Sequence, residues 1–247
     1  MTAPDVSDLL KEAKANRHHP TIRPRDAATL LILDRSGPDV RVLMGRRHMS
    51  HVFMPGMFVF PGGRVDPTDS RVPVVADYHP EVAARLAARP KGKLSPSRLK
   101  AFTVAAVRET YEEAGIFVGR RTGRSWRAPG DLLAFAERGI ELDLSPFRMI
   151  ARAITPPGRP RRFDTRFLAV YSDAIADRLP DTAGPSGELE DVAWLTLAQT
   201  RDLDLPVITQ TILGDLAVRL ADDPELSPAT PVPFYFQRGQ GFRRDLL

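Results

Sequence analysis

The apolar positions of this chain fall into short runs with two different periods. Ala27 to Leu33 is a continuous apolar run closed by the turn residues Asp34 to Asp39. Val40 to Arg47 alternates, so the two predict a β-hairpin. His48 to Gly56 is an apolar loop with a tight turn, followed by a short strand from Met57 to Phe60. Ile116 to Val118, Arg148 to Thr155 and Phe163 to Tyr171 also read as strands. Helical spacing marks Pro80 to Pro90, the run from Phe102 to a stop at Gly115, Asp131 to Arg138, and a terminal amphipathic helix from Leu205 to Leu220. Leu142 to Pro146 reads as a turn, and Lys91-Gly92-Lys93 as a flexible basic link. The first 26 residues have few periodic apolar positions, with Leu9 and Leu10 able to dock a short helix. Beyond Asp222 the chain is proline-rich until Phe234-Tyr235-Phe236, aromatics placed to close a pocket or a dimer contact. The pattern predicts an arm over 1–26 and one α/β domain over 27–247.

One helix stands apart chemically. Glu109, Glu112 and Glu113 are spaced i, i+3 and i+4, which puts three carboxylates on one patch of surface. Their repulsion can be answered by solvent and by Arg108, four residues before Glu112, which is the reading of an ordinary acidic helix face. It can equally be answered by a divalent cation, because clustered hard oxygens suit Mg²⁺ or Mn²⁺.

Arg108-Glu109-Thr110-Tyr111-Glu112-Glu113-Ala114-Gly115-Ile116 resembles the second half of the Nudix box, with Thr110 at a position where an aliphatic residue is usual. In the contiguous box a glycine stands fourteen residues before the arginine, and here that position is Leu94. The glycine occurs earlier, in Phe60-Pro61-Gly62-Gly63, and six residues beyond Gly63 stands Asp69, a shorter acid where the box has glutamate. Residues 70–96 form an insertion between the two halves, either a lid or wall beside the substrate or a surface elaboration. The arrangement is similar to the branch of the Nudix superfamily that acts on coenzyme A and its esters. That branch carries an upstream arginine, then a glycine, then Phe-Pro-Gly-Gly, a spacing reproduced by Arg47, Gly56 and Phe60 to Gly63; the second arginine of its pattern falls at Val52.

The resemblance implies an α/β/α sandwich with a central mixed sheet and metal-dependent hydrolysis of a nucleoside diphosphate linked to another moiety. Coenzyme A or acyl-coenzyme A is the first substrate it points to, giving 3′,5′-ADP and a 4′-phosphopantetheine product. ADP-ribose, NADH or a nucleotide sugar is the alternative, and a nucleotide sensor that does not cleave is an alternative of another class. Metal is expected on Glu109, Glu112 and Glu113, with Gly63 and Asp69 contributing from the loop. The base is expected to be Glu109 or Glu188, and Arg108 to orient the glutamates. Glu188 opens an acidic stretch that leads into a tryptophan-bearing strand and then a helix, and Trp194 is expected in the core. Arg46 and Arg47, the Gly62 backbone, and the basic cluster Arg159, Arg161 and Arg162 are the candidates for holding phosphates.

Composition narrows the classes. The 247 residues contain no cysteine, which excludes thiolate metal sites, disulfides and a cysteine nucleophile. A formal charge of +4 suits anionic small molecules, and the absence of a long basic run disfavours nucleic acid. No apolar run approaches a membrane span and the start lacks signal-peptide order, so a soluble cytoplasmic protein is expected. Dimers are common in the superfamily, and the sequence identifies no interface.

Overall fold

The computed structural model describes all residues except 1–5, 16–18, 50–54, 90–93 and 181–183. The chain runs α1 (Val6–Ala15), β1 (Arg25–Asp34), β2 (Arg41–Arg47), β3 (Phe58–Val59) and β4 (Gly62–Arg64). Next come β5 (Val74–Ala76), α2 (Pro80–Ala87), α3 (Pro96–Ala114), β6 (Ile116–Val118), β7 (Arg120–Arg121), α4 (Leu133–Glu137) and β8 (Ile140–Asp143). The last elements are β9 (Arg148–Ile154), β10 (Phe163–Tyr171), β11 (Ile175–Arg178), β12 (Leu189–Thr196), α5 (Val207–Asp222), β13 (Pro233–Arg238) and β14 (Gly241–Leu246).

Strand alternation builds the layers. The main sheet has the order β12-β2-β1-β10-β9-β13-β14, with β3 beside β2 and β4 beside β1. It is mixed: β1 runs parallel to β10 and β13 parallel to β9, and its other pairs are antiparallel. On β1, Ala28, Leu30 and Ile32 enter the apolar cluster shared with α3, while Leu31 and Leu33 enter the cluster shared with α1 and α5. Helices therefore cover both faces. Helix α3 is set by its ends: the Ser95 hydroxyl accepts from Arg98 N–H, Pro96 takes the first turn, and Gly115 terminates it at φ +66°. Among the described residues, no helix is long and apolar enough to cross a membrane.

Several expectations are corrected. Leu142 and Asp143 are not in a turn but close strand β8, which pairs with β5 and with the short strand β7 at Arg120–Arg121. The aromatic tail is a hairpin, β13–β14, that extends the main sheet through β9. Alternation of large and aromatic residues in Phe234-Tyr235-Phe236 suits a strand, and Pro233 is tolerated because it stands at the strand's first position. The arm carries helix α1, which packs Leu9 and Ala13 onto the sheet, and β1 already begins at Arg25. Strand β11, paired with β6, was not anticipated. Trp194 is only partly buried, packed against the α3-side cluster. The Lys91-Gly92-Lys93 link lies outside the described residues.

Helix α2 and the residues just after it are fastened to the C-terminal segment by arginines. Arg85 donates to the carbonyls of Pro228, at 2.6 Å, and Ala229, and Arg89 pairs with Asp245. Beneath it, Arg152 is fully buried, donating 2.8 and 2.7 Å bonds to both oxygens of Asp164 and a 2.7 Å bond to Ala88 O. Arg166, equally buried, also pairs with Asp164 at 3.1 Å and stacks over Phe102. Removing one member of a buried ion pair typically costs about 3–5 kcal/mol because the other is left uncompensated. Urea denaturation is expected to show Asp164→Ala losing more stability than Arg152→Met, since the first removes the carboxylate shared by two buried guanidinium groups, leaving Arg166 only its longer pair with Asp26, and the second leaves Asp164 still paired with Arg166.

Candidate active site

The site begins at β4. Its three residues pair with the start of β1, Ala27 opposite Arg64, Ala28 opposite Gly63 and Thr29 opposite Gly62. Leu30 N–H donates to Pro61 O at 2.9 Å, continuing the seam. This lays the Gly62-Gly63 loop across α3. Gly62 N–H donates to Glu113 Oε2 at 2.9 Å, and a Cβ on Gly63 would stand 2.3 Å from the Glu109 carboxylate. Only glycine lets the main chain approach the two acids this closely.

Arg108 holds the arrangement from below. Its side chain is 6% exposed, and it donates to Asp69 Oδ1 (3.2 Å), Glu109 Oε1 (2.8 Å), Glu112 Oε2 (3.2 Å) and the carbonyl of Arg64 (3.0 Å). Burial pulls its pKa down, but the bond to Asp69 and the charges of Glu109, Asp69 and Glu112 outweigh it, so the group is held firmly cationic. The loop carrying Glu188 is fastened to the end of the same helix. Ser186 N–H donates to Glu112 O at 2.8 Å and Gly184 N–H to Glu113 O at 3.2 Å. A Cβ on Gly184 would meet that Glu112 carbonyl at 2.3 Å.

These elements form one wall of a cavity of about 360 Å³. Of the residues singled out from the sequence, Glu109, Glu113, Glu188, Gly62, Gly63, Arg47 and Arg161 line it. Glu112, Asp69, Arg46 and Arg162 do not. Asp69 is 2% exposed, turned to Arg108 and accepting from Asp66 N–H at 2.7 Å. Arg46 and Arg47 are strand neighbours and therefore face opposite ways; Arg46 is bound by Asp191 at 2.6 Å and Arg47 faces the cavity. Arg162 donates to the carbonyls of Thr155 and Ile22. Val52 lies outside the described residues. The described part of the insertion contributes nothing to the cavity wall. Arg159, of the same basic cluster as Arg161, lines the cavity too, whereas Arg64 and Thr29 line it without having been singled out; for Thr29 the signal available was the run of small residues at the start of β1.

The acids crowd one another in a poorly solvated place. Burial pushes Glu113 up to about 8, opposed by Arg47 and the Gly62 N–H and reinforced by Glu109 and Glu188. Glu112 is raised to about 7 by burial, opposed by Arg108 and aided by Glu109. Glu109 is also raised, by burial first, with Arg108 opposing and Glu188 and Asp66 adding repulsion. By donor chemistry, Glu109, Glu113 and Glu188 fit a hard divalent cation, which would relieve that repulsion. Among the described residues, no three such side chains converge closely enough to make a finished metal site; Arg108 draws Glu109 and Glu112 toward itself.

The solved structure of a NUDIX hydrolase from Alicyclobacillus acidocaldarius superposes with a TM-score of 0.55 at 29% identity, covering 81% of this chain and 96% of that one. The fold is that of the Nudix hydrolases. A Caenorhabditis elegans protein named nudix hydrolase 7 is 28% identical over 183 residues, 69% of this chain. This chain spans 51% of that relative, about half its length. The NUDIX domain of Shewanella oneidensis NrtR, solved with ADP-ribose, covers 85% of this chain at 12% identity and a TM-score of 0.47, too distant to inform the ligand. No protein-family profile matches the chain. The Gly62-Gly63 loop and the glutamate helix, separated by more than thirty residues in the chain, are brought together by the meeting of β4 and α3.

The raised Glu113 has a consequence for stability. Below pH 4.5 the group is protonated whether the chain is folded or not, so it costs nothing. Between 4.5 and about 8 the folded state retains a proton that the unfolded state has lost, and the penalty grows to its full value above that range. In EDTA, Glu113→Gln is expected to match the wild type in acid and exceed its stability at pH 9 by on the order of 5 kcal/mol. Urea titrations at several pH values would read this, and a pH-independent difference would overturn it. The two loop glycines should differ. A Cβ at Gly62 meets the backbone of Ala28 and Thr29 at 2.6 Å, whereas at Gly63 it meets only the movable end of Glu109. Gly62→Ala is therefore expected to lower the melting temperature and Gly63→Ala to leave it nearly unchanged.

Proposed function

We propose that this protein is a metal-dependent hydrolase that cleaves the diphosphate of a nucleoside diphosphate linked to another moiety, with coenzyme A or acyl-coenzyme A as first substrate. The products would be 3′,5′-ADP and (acyl-)4′-phosphopantetheine. The observation that carries the reading is the gathering of Glu109, Glu113 and Glu188 on one cavity wall, with the Gly62-Gly63 backbone above them and Arg108 beneath.

Mg²⁺ or Mn²⁺, when bound, supplies charge screening for the diphosphate and acidity to a coordinated water. Glu109 and Glu113 would hold it, with Glu112 recruited by a rotation away from Arg108. Glu188, exposed and lining the same cavity as Glu109 and Glu113, is the group to take the water's proton. Arg108 and Asp69 position the glutamates, Asp69 by fixing the guanidinium rather than by ligation. Arg47 and Arg161, both lining the cavity, offer guanidinium groups to phosphate oxygens. Arg161 is exposed and no ion pair engages it among the described residues. The expected setting is cytoplasmic, on small-molecule nucleotides.

Hydrolysis of coenzyme A, acetyl-coenzyme A, ADP-ribose and NADH, each with Mg²⁺ or Mn²⁺ and with products identified by mass, tests this. Wild type is expected to release 3′,5′-ADP from coenzyme A. Glu109→Gln and Glu113→Gln should lower kcat by at least about 100-fold, the scale of losing a general base or metal ligand, and Gly63→Ala should do likewise without unfolding. Cleavage confined to ADP-ribose or NADH would overturn the coenzyme A assignment. Nucleotide binding without turnover under either metal would replace the hydrolase reading with a sensor.

A further inference from the structure

The cavity continues well past the acids, and its far part has a different chemistry. Strand register defines its floor: Arg64, Ala27, Thr165 and Ala153 form one row across β4, β1, β10 and β9, and Gly62, Thr29 and Phe167 form the next. These side chains lie on the α1 and α5 face of the sheet. The row crosses three strand spacings, roughly 14 Å. Farther along β1 the same face carries Leu31 and Leu33, which are packed shut. The hollow is therefore written into the strands as short side chains, Ala27, Thr29, Ala153 and Thr165, beside long ones.

Apolar side chains from outside the motif-bearing part of the chain line much of the far side. Leu9 of α1, Ile208 at the start of α5 and Phe242 of β14 line it, together with Ile154 and Phe163. Helix α1 packs against both β14 and α5. An ion pair between Glu12 and Arg159, at 2.6 Å, joins α1 to the loop after β9, and both residues also line the cavity. Leu9 is 3% exposed.

We infer that this far compartment receives an apolar substituent carried by the diphosphate substrate, and that Leu9 and Phe242 set the size it accepts. The inference rests on the hydrolase reading only in seating the diphosphate at the acidic wall. Apolar surface enclosed on several sides gains about 25 cal/mol per Å² when a hydrocarbon fills it, and a substrate without such a group leaves that gain unused. Placing the gauge on α1 and β14 separates substrate choice from chemistry: either residue can change volume without touching Glu109, Glu113 or the Gly62-Gly63 loop.

The test uses alkyl methylenediphosphonates, whose P–C–P bridge resists hydrolysis, titrated into the full chain in Mg²⁺ by calorimetry with chains from methyl to dodecyl. For wild type each added methylene should tighten Kd by about fourfold until the chain meets Leu9 and Phe242, where the gain stops. Leu9→Ala and Phe242→Ala should move the stop to longer chains, and Leu9→Trp to shorter ones. Leu9→Met, nearly equal in volume, should keep the wild-type stop and guards against a general loss of packing. Affinity independent of chain length, or a stop that none of the volume-changing variants moves, would overturn the inference. The nucleotide panel above is scored separately. A chain-length stop without nucleotide cleavage would sink the hydrolase reading alone, and cleavage without a stop would sink the gauge alone.

Discussion

A buried guanidinium surrounded by carboxylates is the constraint on which the site depends. Arg108 reaches Asp69 from the far side of an insertion, Glu109 and Glu112 from its own helix, and the Arg64 carbonyl from the strand between. Desolvating a cation is costly unless its hydrogen bonds are met, and here four partners from three segments meet them. Loop, strand and helix are thus locked into one relative position. Glu113 accepts the Gly62 amide, and its burial outweighs that bond and the nearby charge of Arg47, so its acidity falls.

The sheet supplies the second constraint. Because β1 and β10 pair in parallel through nine residues, the rows that cross them are fixed in register, and small side chains on adjacent strands coincide to leave a hollow. A slip by one residue would turn Ala28, Leu30 and Leu168 into that space and fill it. The cavity is a property of register as much as of composition.

Much of this was legible before the fold was known, and the reasons are local. The glutamate helix announces itself by Ser95-Pro96 at one end and Gly115 at the other, and β1, β2 and β10 by apolar runs or alternation. Gly62 and Gly63 could be read as a close-approach loop because glycine pairs have few other uses. What remained hidden depends on partners far along the chain. Alternation alone does not say which of Arg46 and Arg47 faces the cavity, since that is decided by Asp191, more than a hundred residues on. Asp69 keeps the charge of a ligand but is drawn to Arg108, a choice set by reach. The β13–β14 hairpin was masked by the prolines before it, and its role as a wall exists only because β13 docks on β9.

The arginines of the inserted helix connect places that no motif relates. Arg85 and Arg89 grip the segment leading to and forming the β13–β14 hairpin, and Arg152 ties the end of α2 to β9. Helix α2 therefore works as a strut, although none of its residues lines the cavity. Its absence would be felt not where it interrupts the motif but at the opposite border of the sheet, where the last strand would lose its brace and the hydrocarbon-lined wall its rigidity. A segment that looks dispensable from its position in the chain is in mechanical terms part of the binding site's frame.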